Sequence, residues 1–395
     1  LIMSELKVNS IKGTGASTAA ITIDSSAGTC TANITNNLSN RRLTINGDMK
    51  IAQRGTSATT DGYGTVDRFR QAYSGQDEAP TQSQVDVASG TTPYSQGFRK
   101  AFKITNGNQT SGAGSSDLIL MRHRLEAQDI ANSGWNYTSS SSFITLSFWC
   151  KSSVAQNFYI RLETSDGTAQ AYYMETGSLT ADTWTKVTKT IPGNSNLQFD
   201  NDANVGLTIE WVQFYGTDKT GSVSLDSWAA YSNTLRVPDM TSTWYTTNDA
   251  TWELTGVQLE VGSVATDFEF RTVGQELQLC KRYYYQETRS GSTGGNGQGI
   301  FGLAMTANSS SGSIYLAMQH PVEMRAAPTV SFSGTFAAHL FGVSIATISA
   351  SDMGAAYHNG TTATTVNGSG IGSPGQGTLS FLEGVSGTII FSSEL

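Results

Sequence analysis

Aromatic rings that could stack on a sugar recur through the middle of the chain: Tyr172, Tyr173, Trp211, Tyr215, Trp228 and Tyr231, each with Asn, Gln or Asp nearby. Pyranose recognition uses that pairing, a ring against the apolar sugar face and amides or carboxylates on the hydroxyls. Tyr172 and Trp211 are the candidates chosen from this set, although strand alternation sends about half of such rings into a core. A second group sits near the C-terminal end. Tyr357, His358 and Asn359 lie among small residues in AAYHNGTTATT, and GSTGGNGQG (291–299) is a polar stretch of the same kind. Tyrosine anchors set among adaptable Ser, Gly and Asn resemble an antibody paratope, so both stretches are read as contact loops.

Catalytic chemistry is weakly signalled. Glycoside hydrolysis needs two carboxylates about 5–9.5 Å apart. Asp166 with Glu175, or Glu210 with Asp226, could supply them, but no spacing selects either pair among 32 acidic residues. No catalytic residue is assigned, and no repeat of a β-helical depolymerase is visible. The histidines (His123, His320, His339, His358) form no HxH or HExxH pattern, so no metal site is assigned. The turn Asn201–Asn204 (NDAN) has oxygens suited to a structural calcium, and no other cofactor is indicated. GTGASTA and GGNGQG lack the lysine of a phosphate loop. Cys30, Cys150 and Cys280 are too far apart for a zinc pattern and are read as buried thiols.

Composition narrows the class. Charged residues are 14% of the 395, the formal net charge is −8, and Ser plus Thr make about a quarter. Low charge with abundant Ser, Thr, Gly and aromatics fits a β-rich protein. Basic runs stop at pairs (Arg41–Arg42, Lys281–Arg282), so nucleic acid is an unfavourable partner. No apolar run approaches the length of a membrane span. LIMSELK has neither the basic nor the apolar region of a signal peptide.

Four segments follow. Residues 1–42 hold three short apolar beats (Leu6, Val8, Ile11; Ile21, Ile23; Cys30, Ala32, Ile34), an attachment or oligomerisation arm. Residues 43–270 carry alternating strand-like runs with turn residues between them, a β-sandwich or jelly roll. Its core takes Phe148, Val187, Ile191, Ile209, Trp211 and Leu254. Asp117–Asn132 is read as a helical exception. The strand TWELTGVQLEV alternates as a half-buried strand does, with Gly256 as its bulge. Residues 271–289 form a linking helix of roughly three turns, in which Val273, Leu277, Cys280 and Tyr284 make one apolar stripe. That stripe either packs on its own sandwich or meets two further copies on an axis, the second being favoured. Residues 290–395 form a smaller β domain, the distal tip. The fold class is therefore all-β: a jelly-roll β-sandwich plus a smaller C-terminal β domain, joined by a short helix.

NRRLTINGDMKIAQRGTS, GYGTVDRF, FITLSFWCKSS, WTKVTKTIPG, LTGVQLEVGSVATDFEFRTVGQELQLCKRYYYQ and HPVEMRAAPTVSF follow one another in this order. Together they resemble the tail-fibre or receptor-binding structural proteins of tailed bacteriophages, many from aquatic hosts, from Asn40 to about Phe332. The resemblance implies a virion component, homotrimeric, with a jelly roll similar to carbohydrate-binding modules and assembled in the host cytoplasm without an export signal. It implies other virion proteins (tail, baseplate or capsid) as partners of the arm, and a host surface glycan or protein as receptor. Two further readings stay open: a tail or capsid decoration or adaptor protein, and a polysaccharide depolymerase.

Overall fold

The computed structural model describes residues 8–12, 14, 21–23, 30–32, 41–289, 300–307, 313–340, 344–369, 379–384 and 386–395. Of the arm's apolar residues, Ile11 lies in β1 (Ser10–Ile11), Ile21 and Ile23 in β2 (Ile21–Ile23), and Cys30 and Ala32 in β3 (Cys30–Ala32), a three-stranded antiparallel sheet, while Leu6 and Ile34 lie outside the described residues.

The sandwich follows. Its elements in chain order are β4 (Ser57–Ala58), β5 (Phe69–Ser74), β6 (Thr81–Asp86), α1 (Thr92–Ser95), β7 (Lys100–Thr105), β8 (Leu118–Glu126) and α2 (Ala127–Ala131). Then come β9 (Phe143–Ser152), β10 (Asn157–Thr164), β11 (Gln170–Ser178), β12 (Thr185–Pro192), β13 (Val205–Tyr215), β14 (Trp228–Ala230), α3 (Thr243–Thr246) and β15 (Thr251–Val261). They form two six-stranded antiparallel sheets, ordered β14-β11-β10-β13-β8-β5 and β12-β9-β15-β7-β6-β4. This is a jelly-roll β-sandwich. Phe148, Val187, Ile191, Ile209, Trp211 and Leu254 all lie in its core. Each large side chain so buried contributes about 1.5–3 kcal/mol.

Two local readings of the sandwich change. Residues 118–126 are strand rather than helix. Met121, His123 and Leu125 point inward and are buried, while Arg122 and Arg124 alternate outward. Backbone pairing to β5 and β13 on either side fixes the stretch as strand, and Leu120, Leu125 and Ile130, five residues apart, would share no single helix face. Only α2, five residues, is helical there. β15 does carry its bulge at Gly256, where φ is +64° and the register with β9 shifts between Thr255 and Gln258. Both of its faces are covered, however, so Thr255, Gln258 and Glu260 are buried as well.

The linking helix α4 (Val273–Lys281) is nine residues long and begins with a capping box between Thr272 and Gln275. It stops short of Tyr284, which opens β16 (Tyr284–Thr288) by pairing with the last strand. The remaining strands are β17 (Ile300–Ala307), β18 (Ser313–Gln319), β19 (Thr329–Ser333), β20 (Thr335–Leu340), β21 (Ser344–Ser349), β22 (Met353–Asn359), β23 (Ala363–Gly368), β24 (Leu379–Gly384) and β25 (Thr388–Ser392). They make a seven-stranded sheet, β21-β20-β24-β17-β18-β23-β22, and a three-stranded one, β16-β25-β19. Their shared core includes Tyr285, Leu316, Phe336, Val366 and Phe391. AAYHNGTTATT, expected as a long loop, is mostly the β22–β23 hairpin. GSTGGNGQG lies outside the described residues.

Candidate functional site

A cleft of about 390 Å³ opens on the outer face of the β9–β15 sheet. Its floor is set by strand alternation. Leu146, Phe148 and Cys150 of β9 enter the core, which turns Ser147 and Trp149 outward. Gly256 lies beside them, and Lys186 of β12 stands opposite Trp149 in the ladder. The walls come from Gln96 and Phe98 ahead of β7 and from Thr266, Asp267, Phe268 and Phe270 after β15.

Three phenylalanines form one aromatic wall. Phe98 and Phe268 have ring centroids 5.0 Å apart, Phe98 and Phe270 5.2 Å, and Phe268 and Phe270 4.8 Å. Phe270 is 47% exposed, while Phe98 is buried. Gln96, Lys186 and Asp267 are exposed polar groups around this wall.

The polar face of β15 holds the aromatic segment in place, which is why that face is buried. Glu260 accepts from the Thr266 amide (2.8 Å) and hydroxyl (2.7 Å), and Gln258 accepts from the Glu269 amide at 2.8 Å. The Arg41 guanidinium also donates to the Thr266 hydroxyl (2.6 Å), and the Arg42 guanidinium lies 4.8 Å from the Phe268 ring centroid. The result is a fixed apolar platform with hydrogen-bonding groups at its rim, able to stack on a flat apolar ligand face.

The residues chosen from sequence fall elsewhere. Trp211 is fully buried, between Phe69 (6.1 Å) and Phe148 (5.8 Å). Tyr172 is 2% exposed and packs on Trp228 at 5.2 Å. Both are core side chains, because their positions in β13 and β11 face the opposite sheet. Tyr357 and His358 belong to β22, and their side chains lie outside the described residues. Asn359 is exposed, but its amide donates to the Pro328 carbonyl (2.9 Å) and accepts from the Thr364 hydroxyl (3.0 Å), bracing the hairpin end. Of the helix stripe, Val273 is 63% exposed and Leu277 half-buried. Cys280 and Tyr284 are buried within their own chain, Tyr284 under the Arg54 guanidinium at 3.5 Å. They are therefore intrachain contacts and not the partner-facing pair favoured from periodicity.

Of the acids named from sequence, Glu210, Glu175 and Asp166 are tied to protein donors. Glu210 accepts from Arg122 Nε at 2.8 Å and from Arg161 at 3.0 and 2.6 Å. Burial alone would raise its pKa, but the two guanidinium groups outweigh it and bring the value down to about 2. A carboxyl held ionised in this way cannot act as a general acid. Glu175 accepts from the Asn157 amide (2.8 Å), and Asp166 from the Asp200 backbone (2.9 Å). In the NDAN turn, Asp202 accepts from Asn204 and the Ala203 carbonyl from Arg325 at 3.0 Å. Protein donors thus occupy oxygens a cation would use. Among the described residues no group of three His, Cys, Asp or Glu side chains is placed to hold a metal ion.

Phe98, Trp149, Lys186, Phe268 and Phe270 went unrecognised in the sequence. The alternating DFEF (267–270), four residues past the strand-ending Gly262–Ser263, was the available signal, since such rings have no strand partner to cover them.

No protein-family model and no curated protein matches the chain. Solved structures similar to it include the enzymatically active domain of bacteriophage CBA120 tailspike protein 4, at 8% identity and a TM-score of 0.31 over 56% of this chain and 21% of that one. The chain thus spans about a fifth of that tailspike's length. The N-terminal cellulose-binding domain of Cellulomonas fimi β-1,4-glucanase C is similar at 11% identity and a TM-score of 0.26, over 55% of this chain and 99% of that one. The CBM22-1–CBM22-2 tandem domain of Paenibacillus barcinonensis Xyn10C is similar at 10% identity and a TM-score of 0.25, over 82% of this chain and 93% of that one.

Proposed function

We propose that this protein is a structural component of a bacteriophage virion, a tail fibre or adhesin, and that its sandwich holds a host surface glycan in the aromatic cleft. The observation that carries the binding reading is the cleft: three clustered phenylalanines, one of them 47% exposed, rimmed by Gln96, Lys186 and Asp267. Sugars are held by ring stacking with a few placed polar groups. The virion reading rests on the ordered sequence stretches from Asn40 to Phe332. In this reading the N-terminal arm contacts other virion proteins, three copies assemble, and no bond is cleaved.

The test uses the full chain against neutral and acidic polysaccharides and purified host envelope glycans, by affinity electrophoresis and calorimetry. At least one glycan binds, and Phe270→Ala weakens it about tenfold with an unchanged melting temperature, as loss of one stacking ring predicts. A chain that docks on particles and retains no glycan is a decoration or adaptor protein instead. Release of reducing ends would make it a depolymerase. Mass in solution decides the trimer, and a stable monomer removes it.

A further inference from the structure

The other sheet carries a second cleft of different chemistry. Across its outer face the ladder aligns Tyr173, Arg161, Glu210, Arg122 and Arg70 on five neighbouring strands, and beside them Glu163, Thr208 and Arg124. Period-2 alternation puts both rows outward, since Leu162, Ile209 and His123 between them point into the core. The segment after β13 covers one end of this face through a small apolar cluster of Ala72, Leu120, Val212, Tyr215 and Val237. What remains uncovered is a cleft of about 220 Å³, with Tyr231 and Arg236 contributed by that segment.

Four arginines (Arg122, Arg124, Arg161, Arg236) and two glutamates (Glu163, Glu210) line it, two positive charges in excess on a chain of net charge −8. Glu210 takes up Arg122 and Arg161, and Glu163 also pairs with Arg161 at 2.6 Å. Positive valence is still left over. Arg161 is 1% exposed, yet its Nη1 has no hydrogen-bond partner. The Nε atoms of Arg124 and Arg236 are likewise buried and unpartnered. Among the described residues no carboxylate pairs with Arg124. Buried donors without acceptors are costly, and guanidinium groups match planar oxyanions. Tyr231 offers a ring, with the Arg161 guanidinium 5.2 Å from its centroid, and Ser165 and Thr208 offer hydroxyls.

We infer that this arginine-lined cleft binds an anionic sugar unit of a polysaccharide, its carboxylate or sulfate oxygens taking the free donors of Arg161 and Arg124. The site is separate from the aromatic cleft and stands or falls without it. A chain of net charge −8 repels polyanions over most of its surface, so such binding must be local.

The test measures retention of the full chain by polygalacturonate, dextran sulfate and neutral dextran. Either polyanion binds while dextran does not, and the one that binds tells carboxylate from sulfate. Arg124→Gln weakens this binding about tenfold, as loss of a charge-assisted contact does, and salt weakens it further. Lys100→Gln, an equal loss of charge on the opposite sheet, leaves it unchanged. Should Arg124→Gln fold poorly, Arg236→Gln takes its place. Failure to bind either polyanion, or equal binding by the arginine variant and the wild type, overturns the inference. Dextran binding with no polyanion binding overturns it too, while leaving the aromatic cleft in place.

Discussion

Arg68 and Glu394 are 326 positions apart and form an ion pair, with side chains 1% and 8% exposed. Arg54 reaches the same carboxylate at 3.0 Å and Asp67 at 3.5 Å. Both arginines also lie on tyrosines at the junction, Arg54 3.5 Å from the Tyr284 ring centroid and Arg68 3.4 Å from that of Tyr283. Tyr283 donates to Glu126 at 2.5 Å, and Glu126 accepts two bonds of 2.8 Å from Arg282. On the other side Arg325 donates to the Ser393 carbonyl (2.7 Å) and to the Ala203 carbonyl (3.0 Å). The C-terminal β domain is thereby clamped to the sandwich by charge-assisted contacts. Arg68 adopts a left-handed backbone (φ +70°), a conformation its partners must hold.

Glu394→Gln should therefore cost about 3–5 kcal/mol, because the Arg68 charge stays buried without its counter-charge. Denaturant unfolding followed by tryptophan fluorescence measures it. Arg68→Met combined with Glu394→Gln should recover part of the loss, and a strictly additive double variant would show that the two side chains act independently.

Gly256→Ala should destabilise the sandwich by about 1–3 kcal/mol. The bulge needs φ +64°, and an added Cβ would meet the Phe98 ring at 2.8 Å and Trp149 at 3.1 Å. The same methyl group enters the aromatic cleft, so glycan retention should fall with the melting temperature. An unchanged melting temperature would show that the bulge tolerates a side chain.

Stability should depend on pH through two buried groups of opposite sign. Burial, reinforced by the Arg68 charge, holds the pKa of His123 well below 6.5. Its Nδ1 lies 3.0 Å from the Arg68 carbonyl. Below pH 6.5 the unfolded chain binds a proton that the folded ring refuses, so this contribution falls as pH drops. Asp67 runs the other way. Burial pushes it up from 3.8 to about 6, against the opposing pull of Arg54. Its contribution is full below pH 3.8 and is lost as pH rises through 6. Asp67→Asn should steepen the loss of stability between pH 6.5 and 4, and His123→Gln should flatten or reverse it. Parallel curves for wild type and both variants would contradict the assignment.

Cys150 and Cys280 are buried, and burial raises both thiols, Cys150 to about 12. Only the thiolate reacts. Neither should alkylate in the native protein at pH 8, and both should do so after denaturation, as peptide mass mapping would show. Native labelling of Cys280 alone would mean that α4 opens independently of the sandwich.

Local pattern alone carried most of the sandwich. Runs such as Val205–Tyr215 and Phe143–Cys150 alternate strongly enough to be read directly, and Gly256 marked its own bulge. These features were legible because the period-2 signal is local to each strand. The stretch at 118–126 was not, because the charged Arg122, Arg124 and Glu126 and the inward His123 mask the alternation of Ile119, Met121 and Leu125, and pairing with the flanking strands β5 and β13 fixes it as strand. That one misreading hid the outward pair Arg122 and Arg124. Ring types were visible in the sequence, but which rings face solvent was not. Trp211 and Tyr172 differ from Phe270 in what covers them, and cover comes from residues distant in the chain. Composition and alternation thus determined an all-β chain of low charge. The sites were decided by pairing and packing across hundreds of residues, since burial and charge partnership belong to the folded whole and not to any segment of it.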